Sequence, residues 1–175
     1  MRKITKEYEV AEFKELTKKQ KAMAISNYSD INVDHDWFRY DIEEYEKDLK
    51  ILGFKNPKIK FELDSRSGGG VEFNKSFDSP ESASESKKRL SDFKDQCGIE
   101  DFSRLAEELF SRKFNRAGSD LDDEFIEELG NKYEKAIHKH LSAQYEFLVS
   151  DEAIGETLEI NEYEFDTTTL KIFKL

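Results

Sequence analysis

The longest periodic run in the chain is Phe125, Leu129, Tyr133, Ile137, Leu141 and Leu148, apolar residues near every fourth position. It predicts an amphipathic helix from about Asp122 to Val149. Ser150 then stands as the N-cap of a short helix over DEAIGETLEIN. Phe38, Ile42, Tyr45, Leu49 and Leu52 form an earlier stripe. It predicts a helix from Trp37 to Leu52, opened by Asp34 or Asp36 and closed by Gly53. Asp41, Glu44 and Asp48 lie on its other face as a ladder of acids. Thr17 is placed to cap a helix reaching about Tyr28, with Ala22, Ile25 and Tyr28 spaced for burial. Pro80, just inside a helix start in SPESASES, opens a helix to about Gln96 that Gly98 closes. Phe102, Leu105, Leu109 and Phe110 mark another, ending before Gly118.

Alternation of period two marks the strands. Ile4–Phe13 reads as one, with Tyr8 and Val10 opposite Glu7 and Glu9. Ile59, Phe61 and Leu63 alternate with Lys60 and Glu62, and after SRSGGG, Val71 and Phe73 alternate again. Two strands about a Gly-rich turn make a β-hairpin. The chain closes on EYEF, a turn over Asp166–Thr168, and LKIF, a second short pair. No linker or repeat interrupts residues 1–175, so the pattern predicts a single α+β domain. Short antiparallel hairpins would pack there with several amphipathic helices.

Only 37% of the 175 residues are hydrophobic, but 13% are aromatic, including 14 Phe. Large rings can anchor a core that is thin in aliphatics. The single cysteine, Cys97, excludes an internal disulfide framework and fits a reducing compartment. No apolar run reaches membrane-helix length, and MRKITKEYEV lacks the apolar segment of a signal peptide. The expected location is the cytoplasm of a bacterial host cell.

Catalytic and metal chemistry find little support. Gly68-Gly69-Gly70 precedes a strand with no Lys-Ser/Thr pair, so it reads as a hairpin turn and not a phosphate cradle. His138 and His140 are two residues apart, on different sides of a helix, and His35 sits in a capping loop. Asp120, Asp122, Asp123 and Glu124 resemble a calcium loop without its glycine and final glutamate in register. Acids there complement the positive end of a helix. No G-x-S-x-G, Cys-His or S-x-x-K arrangement occurs. The expectation is a protein that is not an enzyme and carries no metal or cofactor.

The net charge of −11 is unevenly placed. Residues 1–118 hold 24 acids and 23 bases, whereas residues 119–166 hold 15 acids and three bases, Lys132, Lys135 and Lys139. Such a block disfavours direct nucleic-acid binding, which needs a positive surface. Acids three or four apart on a helix sit about 5–6 Å from each other, comparable to phosphates along a DNA strand. Glu124, Glu127, Glu128, Glu134, Asp151, Glu152, Glu156 and Glu159 are therefore the candidate partner-binding residues, a phosphate-like array for a basic groove.

Three stretches carry a family resemblance: FKELTKKQKAMAISNY, DHDWFRYDIEEYEKDLKILGFKNPKIKF and YEFLVSDEAIGETLEINEYEF. In their order they resemble small phage and prophage proteins labelled antitoxins of toxin–antitoxin stability systems. That family's Trp-Ser-Gln-Gly-Asp-Gly-like loop falls at Ser65–Gly70, where SRSGGG keeps two glycines and lacks the Trp, Gln and Asp. The resemblance implies a phage or mobile-element origin, from which small acidic proteins commonly bind host machinery. With the charge pattern, the leading expectation is an inhibitor of host defence. It would be an anti-CRISPR protein that binds a Cas nuclease through a DNA-mimicking surface. The alternatives are an antitoxin-like binder that neutralises a toxin and, third, an enzyme with a dispersed carboxylate site.

Overall fold

The computed structural model describes residues 7–63, 69–97, 100–114 and 123–173. Its elements are β1 (Val10–Glu12), a 3-10 turn (Phe13–Glu15), α1 (Lys18–Asn27), α2 (Arg39–Leu52), β2 (Lys60–Phe61) and β3 (Val71–Glu72). They continue as α3 (Ala83–Gln96), α4 (Glu100–Phe114), α5 (Asp123–Leu148), α6 (Asp151–Ile160) and β4 (Glu164–Asp166). The fold is α+β, with two antiparallel two-stranded sheets, β1-β4 and β2-β3. The chain packs as two compact units, one from residues 38–142 and the other from 1–37 with 143–175.

In the unit built from the chain ends, β1 pairs with β4 in the register Val10↔Asp166, Ala11↔Phe165, Glu12↔Glu164. Of the predicted strand over Ile4–Phe13, the described residues form only Val10–Glu12, and at its C-terminal end Phe13 turns into the 3-10 segment and buries its ring. Ile4 lies outside the described residues. Thr17 caps α1 as expected, with a reciprocal bond to Gln20. Ala22 is exposed, and the residue sealed in its place is Ala24, next to half-buried Ile25 and Tyr28. The core joins Ala24 to Phe13, Leu16, Ile154, Leu158, Phe165 and Leu170. Polar ties complete the unit: Gln20 Nε2 donates to Thr167 O (3.0 Å), and the Ile172 N–H to the Tyr28 hydroxyl (2.7 Å). LKIF contributes only a bridge from Ile172 to Phe165, not a strand.

In the other unit α2 begins at Arg39, two residues later than predicted. Phe38 occupies the N-cap without a side-chain bond, so neither Asp34 nor Asp36 caps it. Gly53 closes the helix in the left-handed region at φ 116°. Beyond it, Phe54 bridges Phe77, and Glu46 ties α2 to the next segment through Lys58 Nζ (2.7 Å) and Ile59 N (3.0 Å). The hairpin forms as Lys60↔Glu72 and Phe61↔Val71. Pro80 is not inside α3: Ser82 caps that helix, accepting from Glu85 N at 3.2 Å. Gly98 and Gly118, expected to close α3 and follow α4, lie outside the described residues.

Aromatic rings run through this core. Phe54 meets Phe73 (5.2 Å between centroids) and Tyr133 (6.2 Å), Tyr133 meets Phe102 (5.5 Å), and Phe102 meets Tyr45 (5.4 Å). Leu129, Tyr133, Ile137 and Leu141 of α5 are fully buried among them. The phenol of Tyr133 reaches Phe102 O at 3.4 Å, and burial holds its pKa well above the usual value. It stays neutral, as a buried tyrosine must.

Candidate functional site

The eight candidate acids divide between the two units. Glu124, Glu127, Glu128 and Glu134 stand on α5 in one, and Asp151, Glu152, Glu156 and Glu159 on α6 in the other. Their environments differ in kind.

On α5 the acids are engaged within the protein. Lys75, after β3, sends its ammonium to Glu127 Oε1 (3.1 Å), Glu134 Oε2 (3.1 Å) and Asn131 Oδ1 (2.8 Å). Gly130 makes this possible: a Cβ there would lie 2.6–2.9 Å from the Lys75 chain, which crosses the helix at that point. The other Glu134 oxygen accepts from Phe73 N at 3.2 Å. Burial works against the Lys75 charge, but the bonds from Glu127 and Glu134 outweigh it and raise its pKa. Lys132 likewise holds Glu128 (3.2 Å) and Glu108 (2.9 Å). Three of the four α5 acids are thus partly neutralised, and Glu134, with only 14% of its side chain exposed, faces inward. Glu124 is exposed in the first turn, where it complements the helix dipole.

On α6 the four acids are exposed, and among the described residues none of them has an ion-pair partner. Ser150 caps the helix, accepting from Ala153 N at 3.2 Å, and Ala153, Ile154 and Leu158 bury the inner face. Asp151 and Glu152 lie in the first turn and suit the dipole. Glu156 and Glu159 have no such local role. At about 100° per residue, Glu152, Glu156 and Glu159 fall within about 60° of arc. Ile160, 77% exposed, borders them.

Of the ladder Asp41-Glu44-Asp48, Glu44 is exposed and Asp41 half-buried, but Asp48 is not on a solvent face. Asp48 is buried, and its carboxylate meets the Cys97 thiol at the end of α3. Burial raises its pKa, although the Cys97 hydrogen bond pulls the other way. A carboxyl whose pKa rises on folding binds its proton more tightly in the folded state. Stability therefore falls as pH climbs from the unfolded pKa through the folded one. Asp48→Asn is expected to raise the melting temperature at neutral pH by a few degrees, corresponding to about 1 kcal/mol. The gain should shrink toward pH 4 in thermal melts, whereas a merely structural defect would persist there.

The histidines are dispersed. His138 packs on the Phe61 ring at 6.5 Å, His140 Nδ1 shares a hydrogen bond with the buried Tyr45 hydroxyl, and His35 contacts Asp34 at 3.3 Å. Among the described residues no group of three His, Cys, Asp or Glu side chains is arranged to hold a metal. Asp120, Asp122 and Ser65–Gly68 lie outside the described residues. No described helix is long and apolar enough to cross a membrane. No family model, curated protein or solved structure matches the chain.

Proposed function

We propose that the protein is a phage- or mobile-element-derived inhibitor that lays the acidic face of α6 into a basic nucleic-acid groove of a host defence nuclease, a Cas nuclease first among them. The supporting observation is the contrast between the helices: three of the four α5 acids are occupied by Lys75 and Lys132, while those of α6 stand free. Free carboxylates one turn apart offer a groove lined with Lys and Arg the charge spacing of a DNA strand. Steering by that charge raises the association rate, and exposed Ile160 offers an apolar anchor beside it.

The test is capture of tagged protein's partners from a bacterial lysate containing defence nucleases, with washes at low and high salt. A nuclease held at low salt and released at high salt is the expected result. With that nuclease purified, Glu156→Lys/Glu159→Lys should weaken binding by on the order of 100-fold, and single-stranded or duplex DNA should compete. The reading fails if the double variant binds unchanged. Recovery of a small toxin, with rescue of growth on co-expression, would favour the antitoxin alternative.

A further inference from the structure

A groove of about 400 Å³ opens between the hairpin and α5, lined by Gly69, Gly70, Val71, Asn131, Glu134, Lys135 and His138. That is the scale of a small-ligand site. On the strand side, Glu62 N–H donates to Gly70 O at 3.0 Å, which sets the phase of the β2-β3 ladder. In an antiparallel pair, alternate residues turn their backbone groups to the outer edge. Phe73 does so, and its N–H reaches Glu134. Val71, two residues earlier, turns its N–H and carbonyl the same way, toward the groove. Glycine at 69 and 70 leaves the backbone there uncovered by side chains.

On the helix side, Asn131, Lys135 and His138 follow one another at spacings of four and three, along one face of α5. Asn131 Oδ1 is held by Lys75, so its Nδ2 donor is turned away from that bond. Among the described residues neither Lys135 nor the His138 ring has a hydrogen-bond or ion-pair partner. Glu134, the acid in the lining, has both oxygens occupied, by Phe73 N and by Lys75. Its charge is partly compensated by Lys75, which it shares with Glu127. The side-chain groups left open to a ligand are thus predominantly donors, with one ammonium among them.

We propose that this groove binds a small oxyanion, a carboxylate or a phosphate ester. The anion takes hydrogen bonds from Val71 N–H and Asn131 Nδ2, a charged bond from Lys135, and a further contact from His138. The site is independent of the acidic α6 face.

Titration of ¹⁵N-labelled protein at constant ionic strength, with inorganic phosphate and separately with succinate, tests the proposal. Saturable shifts centred on the Val71 amide and the Asn131 side-chain amide are expected. A charge-assisted bond is worth enough that Lys135→Gln should weaken binding at least about tenfold. Lys60→Gln, on β2, should leave it unchanged. Tighter binding of phosphate identifies a phosphate ester as the ligand class, and tighter binding of succinate a carboxylate. Shifts that stay linear in concentration, that spread over the exposed lysines, or that Lys135→Gln leaves unaltered would overturn it.

Discussion

Gly53→Ala is expected to destabilise the protein by about 3 kcal/mol or more, close to the largest loss a single methyl can cause. Two effects combine. At φ 116° an L side chain is strained by about 1–2 kcal/mol. The new Cβ would also lie 2.5 Å from Arg89 Nη1 and 2.8 Å from Asp78 O. The second contact is with backbone, and it cannot yield cheaply. Asp78 N donates to Gly53 O at 2.8 Å, and Lys55 N to Ser76 O at 2.7 Å, so the two segments are held together at the glycine and just beyond it. Thermal unfolding should show a midpoint lower by roughly 10 °C. Gly155→Ala is the control: its Cβ would meet Ile25 and Phe13 at an ordinary 3.8 Å, within a helix. That change should be neutral or stabilising by up to about 1 kcal/mol. Equal behaviour of the two variants would remove the argument from close approach.

Lys75→Met should cost about 2–3 kcal/mol, below the figure for a fully buried pair because the ammonium and Glu134 keep some contact with water. The loss comes less from missing attraction than from what remains behind: the Glu134 carboxylate, 14% exposed and facing Glu127 without a counter-charge. Lys75→Met/Glu134→Gln should therefore recover more than half of the loss. Additive single effects in that double-mutant cycle would show that the pair is not coupled. Chemical denaturation supplies the numbers, and high salt should change the cost little for so sheltered a pair.

The elements most legible in the sequence are those whose boundaries are fixed by local chemistry. Thr17, Ser150 and Gly53 end their helices through bonds or backbone angles that depend on a few neighbours. The 26 residues of α5 carry an apolar stripe long enough to define both its type and its buried face. The sequence is less legible where a distant segment decides. Asp48 looks solvent-facing on α2 until the end of α3 brings Cys97 over it. Pro80 resembles a first helical residue, but Ser82 has the hydroxyl that satisfies the free N–H groups. The same limit applies to the acidic array. Spacing along α5 places Glu127, Glu128 and Glu134 on its surface, but it cannot register Lys75, which arrives from the segment after β3 and occupies two of them. Its signature in the sequence is Gly130, a helix-interior glycine that leaves the space for that lysine to cross.

The pairing of β1 with β4 also sets an order on how the molecule is made. The residues of the 38–142 unit are contiguous, and all of them are synthesised before β4. Ala11 must wait for Phe165, its cross-strand partner more than 150 positions later. During translation the first strand is a free edge, and Phe13 and Leu16 lack the side chains of Leu158, Phe165 and Leu170 that cover them in the finished core. Residues 143–175 therefore act as the closing stitch of a unit whose other half, residues 1–37, is synthesised before the intervening 38–142 unit. A chain that stops short of Glu164 is left with an unpaired strand at its beginning, not merely a shortened tail.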